Sequence, residues 1–260
     1  MPLNGNDACR LLSEDNTMQS PWRRYYLIGA VSATLSLLLI ALDVILGNIT
    51  GGDLTQLPQT AAARFGQLQA NPMLGLYHLD LLNVVNQLVA LPAYFALCAV
   101  HRRRNTAGAI FVFVLHLLST ALFVAGNKAL PMLELSRQYF AAVAEAERLL
   151  YAAAGEALLA EGAHGSYGVM TAFLLSSVAA ACISLLMLRG QIFGKLTAWL
   201  GIMGSLLLAL YIIIISVFPR MKSTATLIAM PGGLMMMVWM LLFTIRLFRA
   251  GFSREDIAET

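Results

Sequence analysis

The chain has 260 residues, of which 59% are hydrophobic and only 12% are charged. Apolar segments recur along its whole length, so most of it must be surrounded by lipid, and a soluble globular core is excluded. The formal net charge of +3 is small, and the basic residues are spread between the apolar segments, which argues against a nucleic-acid-binding surface.

Taken in chain order, the pattern predicts an all-α membrane bundle with six transmembrane helices. Residues 1–22 are polar and lack periodicity, which predicts a cytoplasmic tail. Apolar runs of spanning length predict a membrane domain over residues 23–249, followed by a second cytoplasmic tail at 250–260. The predicted spans lie at about residues 25–47, 73–99, 106–126, 167–188, 194–218 and 224–247.

Each of the first three predicted spans carries a polar stripe on one helical face. Ionisable residues inside a span are costly and usually face protein or water, so these stripes predict a polar interior. The first stripe contains Ser32, Ser36 and Asp43; the second contains Asp80, Asn83, Asn86 and Gln87; the third contains His116, Ser119, Thr120 and Asn127. Pro92 predicts a kink in the second span.

Two segments between the spans have different patterns. Residues 48–72 are rich in turn-forming residues and predict a loop with a short helical piece near Ala61–Leu68. Residues 132–161 combine apolar positions at helical spacing with several arginines and glutamates. They predict an outward amphipathic helical segment between the third and fourth spans, which covers the outer end of the bundle.

The basic residues predict the orientation of the chain in the membrane. With an internal N-terminus, the inside segments hold eleven of the seventeen Lys and Arg residues, which follows the positive-inside rule. Both termini are therefore predicted to be cytoplasmic. The inside residues are Arg10, Arg23, Arg24, Arg102, Arg103, Arg104, Arg189, Lys195, Arg246, Arg249 and Arg254.

Three segments resemble a known family. They read LSRQYFAAVAEAERLLYAAAGEALLA at 135–160, ISLLMLRGQIFGKLTAWLGI at 183–202 and DLLNVVNQLVALPAYFAL at 80–97. Over roughly residues 25–248 the chain resembles a bacterial six-span family described as domain of unknown function 4386. The resemblance implies a multi-pass protein of the bacterial inner (plasma) membrane. It implies no established activity and supplies no catalytic residues.

The polar stripes place the candidate site in the outer half of the bundle. The predicted depths of Asp43 and Asp80 differ by only about 5 Å, so the two carboxylates are expected to meet. His116 is predicted nearer the middle of its span, and His164 at the start of the fourth. The candidate ligand-binding residues are Asp43, Asp80, Asn83, Asn86, Gln87, His116, Asn127 and His164.

These residues leave three chemical hypotheses open. Asp43, Asp80 and His116 could bind a divalent metal ion. Alternatively, burial and a like-charged neighbour could raise the pKa of one carboxyl group, giving a proton-linked or acid–base site. The third hypothesis is that the polar side chains only join helices by hydrogen bonds. His78 is expected to point away from the Asp80 stripe, and His101 to contact lipid headgroups.

The leading functional hypothesis is a polar cavity in the outer half that binds a small ligand, an ion or a lipid headgroup. One alternative is a membrane-embedded, metal-dependent hydrolase acting on a lipid or envelope substrate, and another is a proton-coupled secondary transporter. The partners predicted are the lipid bilayer and such a ligand, with no nucleic acid. Enzyme activity, catalytic residues, cofactors other than a divalent metal and oligomeric state are left open.

Overall fold

The computed structural model describes residues 22–50 and 57–253. The helices are α1 (Trp22–Thr50), α2 (Ala61–Ala70), α3 (Pro72–Tyr77), α4 (Leu81–His101), α5 (Thr106–Gly126), α6 (Ala129–Ala141), α7 (Glu145–Gly162), α8 (Tyr167–Gly190), α9 (Lys195–Val217) and α10 (Lys222–Phe252), with a short 3₁₀ turn at Pro219–Met221. Of the two predicted tails, residues 1–21 and 254–260 lie outside the described residues. Trp22 and residues 250–252 are helical.

The described part of the chain confirms an all-helical fold with six apolar helices. The helices α1, α4, α5, α8, α9 and α10 each contain a stretch long and apolar enough to cross a membrane. They pack side by side in the order α1, α4, α5, α8, α9 and α10, and α10 returns to pack against α1. The six helices therefore form one closed bundle.

The second predicted span, residues 73–99, is not one continuous helix. Asn71 caps the start of α3 by accepting from the Leu74 backbone N–H, and α3 ends at Tyr77. Asp80 then adopts a left-handed conformation, with φ of 62°, before α4 begins at Leu81. Asp and Asn tolerate this conformation better than most residues, so the break suits the sequence. Asp80 consequently lies at the end of a span rather than inside it.

The contact between α1 and α4 explains how Pro92 is accommodated inside α4. The Ser32 hydroxyl donates to the Val89 carbonyl at 2.5 Å and accepts from the Ala93 backbone N–H at 3.2 Å. A proline interrupts the helical hydrogen bonds around it, and a hydroxyl from a neighbouring helix can satisfy the freed groups. Ser32, which belongs to the predicted polar stripe of the first span, thus joins α1 to α4.

Four shorter helices, α2, α3, α6 and α7, lie together at one end of the bundle. We call these four helices the cap and this end of the bundle the capped end. Their core contains Phe65, Leu68, Met132 and Leu159. Residues 132–161 therefore form parts of two helices, α6 and α7, that pack against α2. Gly155 permits the close approach of α7, since a Cβ there would lie 2.6 Å from the Phe65 ring and 2.7 Å from the Ala61 Cβ.

Candidate functional site

A chain of hydrogen bonds joins the start of α4, the connection between α7 and α8, and α9 at the capped end. The Nδ1 atom of His164 lies 2.9 Å from an Asp80 carboxylate oxygen, and its Nε2 atom lies 2.7 Å from the Tyr211 hydroxyl. The other Asp80 oxygen accepts from the Asn83 side chain at 3.1 Å. Because an ionised carboxylate can only accept, Nδ1 of His164 must carry a proton. This arrangement orients the imidazole by a carboxylate on one side and a phenol on the other.

Local backbone structure positions each member of this chain. Asp80 projects from the left-handed turn before α4, and Asn83 lies one turn further along the same helix. His164 lies between α7 and α8, where Gly165 has a φ of 87° that favours glycine. Tyr211 lies on α9. The site therefore forms where the ends of two spans meet the side of a third.

The electrostatic surroundings keep Asp80 ionised. Burial disfavours the charged carboxylate, but His164, Asn83 and Arg64 together outweigh it and lower the pKa of Asp80 below its usual value. The contact between Asp80 and His164 is largely buried, because the two side chains are only 17% and 18% exposed.

This shift predicts a defined pH dependence of stability. A carboxyl group with a lowered folded-state pKa stabilises the fold above its unfolded pKa of about 3.9, and this contribution is lost as pH falls through the folded value. We expect the melting temperature of the wild type to fall more steeply below about pH 4 than that of Asp80→Asn. Thermal unfolding in detergent between neutral and acidic pH measures this, and parallel curves for the two proteins would contradict it.

Arg64 provides a buried positive charge near this chain. It lies on α2 and is only 7% exposed. One guanidinium nitrogen donates to the His78 carbonyl at 3.4 Å, whereas the Nε atom is buried without a hydrogen-bond partner. Burial lowers the pKa of Arg64, and the Asp80 carboxylate opposes this. Arginine nevertheless stays protonated in proteins, so the cap contains a charged donor, the Arg64 Nε, without a hydrogen-bond partner.

A cavity of about 300 Å³ lies between the cap and the bundle. Arg64 and His164 contribute to its lining, as does the exposed Glu156, whose carboxylate accepts from the Ala61 backbone N–H at 2.7 Å. Apolar residues such as Leu159 and Ile215 line the remainder. This combination of an apolar wall with a few convergent charged groups is typical of a small-molecule site.

The other predicted site residues have different surroundings. The Ser36 hydroxyl donates to the Asn86 amide oxygen at 2.5 Å, which joins α1 to α4, and Gln87 is half-buried on α4. The Asn127 amide donates to the Leu79 carbonyl at 2.8 Å. His116 stacks on Tyr94 with 3.5 Å between ring centroids. Asn86 therefore joins α4 to α1, and Asn127 joins the end of α5 to the turn before α4.

The three predicted metal ligands do not come together. Asp43 lies within electrostatic range of Asp80 and His164, and its backbone carbonyl accepts from the Tyr77 hydroxyl at 3.0 Å. His116 packs against Tyr94, which is fourteen residues, or about 21 Å, along the helix from Asp80. Within residues 22–50 and 57–253, no three His, Cys, Asp or Glu side chains are arranged to hold a metal ion.

Two histidines outside the predicted set are also placed by the structure. His78 contacts the Gln67 amide at 2.9 Å through Nδ1 and stays outside the Asp80 cluster, as its position in the sequence predicted. The prediction that His101 contacts headgroups is wrong. His101 is 1% exposed, because the Phe193 ring stacks on it and Gly190 lies against it. Its Nδ1 donates to the Leu97 carbonyl at 2.8 Å.

Sequence reasoning missed Arg64, Glu156 and Tyr211. Tyr211 lies in the apolar run of the fifth span, where no neighbouring polar residue marks it. Arg64 is the only charged residue of α2, and its neighbours Ala61, Phe65 and Leu68 are also buried. A single charged residue, Arg64, in an otherwise uncharged short helix was the signal in the sequence that could have indicated this part of the site.

A family model described as "Domain of unknown function (DUF4386)" matches residues 25–246. No curated protein and no solved structure matches the chain.

Proposed function

The chain belongs to the DUF4386 family, whose description gives no activity, and we propose that it binds a small polar ligand in the cavity beneath its cap. The observation that carries this proposal is Arg64, a buried cation with an unpartnered Nε atom, beside a cavity that His164 also lines. A buried donor without a partner costs free energy, and a ligand acceptor would offset that cost.

The charges around the cavity favour a ligand with groups of both signs. Arg64 offers a donor to a phosphate or carboxylate, and Glu156 offers an acceptor to an ammonium group. Both ring nitrogens of His164 are already hydrogen-bonded, so His164 contributes to the cavity wall but offers no free donor. The volume of about 300 Å³ suits a small metabolite or a lipid headgroup. We therefore propose a zwitterionic ligand, of which phosphoethanolamine is the simplest probe. The capped end faces outward in the orientation that the basic residues predict.

Titration of the purified full-length protein with O-phosphoethanolamine tests the proposal. We expect saturable binding by the wild type and at least about tenfold weaker binding by Arg64→Gln, because a charged hydrogen bond contributes about 1.5–3 kcal/mol. Arg64→Lys should bind with intermediate affinity, since it keeps the charge and loses the planar donor geometry. Calorimetry or thermophoresis in detergent measures these affinities.

The control is Arg137→Gln, which removes an exposed arginine of the cap whose one ion pair with a described residue is to Glu134 at 3.8 Å. This variant should bind as the wild type does. Inorganic phosphate and choline, each carrying one sign of charge, should bind more weakly than phosphoethanolamine. Failure of the wild type to bind any of the three probes, or equal affinities of Arg64→Gln and Arg137→Gln, would contradict the proposal.

Proton-coupled transport is a second candidate function. The hydrogen-bonded series Asp80, His164 and Tyr211 supports it, because linked titratable groups can pass a proton between neighbours. Reconstituted protein would then take up protons together with the solute, and the uptake should be lost in Asp80→Asn. The metal-dependent hydrolase stays a prediction for which the site geometry offers no ligand set among the described residues.

A further inference from the structure

A second cavity, of about 440 Å³, lies at the opposite end of the bundle from the cap. The turn between α8 and α9 forms one side of it, including Phe193 and Gly194. The last part of α10 forms the other side, with Leu242, Ile245, Arg246 and Arg249. This end of the bundle is separate from the candidate site, so an inference about it does not depend on the function proposed above.

Charge is distributed very unevenly between the two ends of the bundle. All the acidic residues of the described segments lie toward the capped end: Asp43, Asp80, Glu134, Glu145, Glu147, Glu156 and Glu161. The uncapped end carries Arg23, Arg24, Arg102, Arg103, Arg104, Arg189, Lys195, Arg246 and Arg249. An anionic molecule near this end therefore meets no opposing carboxylate from the described residues.

Several arginines at this end are already used by the fold. Arg23 donates to the Gly251 carbonyl at 3.2 Å, Arg102 donates to the Tyr26 hydroxyl at 2.7 Å, and Arg104 donates to the Gly190 carbonyl. In contrast, the exposed side chains of Arg246 and Arg249 make no hydrogen bond or ion pair with any described residue. These two guanidinium groups border the cavity and are available to a ligand.

The lining residues of α10 change from apolar to basic along one helical face. Three of them follow Leu242 by three, four and seven residues, namely Ile245, Arg246 and Arg249, so all four share one helical face. The seven-residue step from Leu242 to Arg249 covers about 10.5 Å. An acyl chain could lie along the apolar part while its phosphate reached the arginines, as expected at the border between hydrocarbon and headgroups.

From this geometry we propose that the cavity between the α8–α9 turn and α10 binds the phosphate headgroup of an anionic phospholipid. Arg246 and Arg249 donate hydrogen bonds to the phosphate oxygens. The planar guanidinium group matches the spacing of two phosphate oxygens. The side chains of Leu242 and Ile245 contact the lipid chain. Space for the headgroup exists beside Gly194, since nothing lies within 4 Å of a Cβ added there.

The test is native mass spectrometry of the full-length protein, mixed with phosphatidylglycerol or with phosphatidylcholine of equal chain length. We expect the wild type to retain phosphatidylglycerol preferentially and R246Q/R249Q to retain roughly tenfold less of it, from the usual contribution of basic residues near a membrane surface. The control R137Q/R220Q removes the same charge from exposed positions toward the capped end and should retain the wild-type amount.

Gly194→Asp separates binding from folding. An Asp at this position can cap α9, which has no side-chain cap, so the melting temperature should stay equal or rise. Its negative charge in the cavity should nevertheless reduce phosphatidylglycerol retention. Equal retention of both lipids by the wild type, or equal loss in R246Q/R249Q and R137Q/R220Q, would overturn the proposal. Displacement of the lipid by millimolar inorganic phosphate would show that the site takes free phosphate instead.

Discussion

Replacing Gly29 with valine should destabilise the protein by about 3 kcal/mol, because two spanning helices touch at this glycine. A Cβ at Gly29 would overlap the Cβ of Ala96 and lie 3.1 Å from the Pro92 carbonyl oxygen. The Pro92 oxygen is a backbone atom, and the Ala96 Cβ is bonded directly to the backbone, so neither atom can rotate away. The helices α1 and α4 would have to separate, which would also disturb the Ser32 contact beside Pro92.

The matched control is Gly233→Val, which places the same side chain in another spanning helix. Nothing lies within 4 Å of a Cβ at Gly233, so the substitution meets open space. Thermal unfolding in detergent should show a melting temperature roughly 10 °C lower for Gly29→Val and little change for Gly233→Val. Similar melting temperatures for the two variants would mean that α1 and α4 do not approach as described.

Replacing His164 with leucine should destabilise the protein by about 3 kcal/mol. Leucine has a similar volume but removes both hydrogen bonds of the imidazole, to Asp80 at 2.9 Å and to Tyr211 at 2.7 Å. Asp80 would then remain largely buried with its charge supported mainly by Asn83 and by the more distant Arg64. An ionised group that loses its partner in such a position pays a desolvation cost without compensation.

His116→Leu is the control for this substitution. His116 is also buried, but neither of its ring nitrogens has a hydrogen-bond partner, so leucine removes no such bond. We expect a change within about 1 kcal/mol, as the lost stacking on Tyr94 is offset by removing two unsatisfied polar atoms. Chemical or thermal unfolding of both variants measures the contrast. A larger loss at His116 than at His164 would contradict the assignment of the polar site.

Helical periodicity and hydropathy were sufficient to predict the six spanning helices, because each is a long apolar run whose boundaries carry charge. The small residues Ala198, Gly201 and Ser205 recur at steps of three and four along α9, and all three are buried. Periodicity did not predict the helix break at Asp80 within residues 73–99, because the residues on both sides of the break are mostly apolar. Left-handed conformations of single residues leave no repeating signal in a sequence.

The candidate site could be predicted only in part, for a related reason. Asp80, Asn83 and His164 stood out because polar residues near spans are few, and the structure brings these three together. Tyr211 and Arg64 belong to segments distant in sequence, and their contribution depends on how α9 and α2 are arranged in space. His116, in the polar stripe of α5, lies near the middle of that helix and stacks on Tyr94.

The most direct measurement of the polar site is a double-mutant cycle between Asp80 and His164. Asp80→Asn, His164→Leu and the double variant are compared with the wild type by equilibrium unfolding under identical conditions. If the two side chains form one hydrogen-bonded pair, we expect a coupling free energy of about 2 kcal/mol, so that the second substitution costs much less than the first. Additive effects, within about 0.5 kcal/mol, would contradict the pairing on which the candidate site depends.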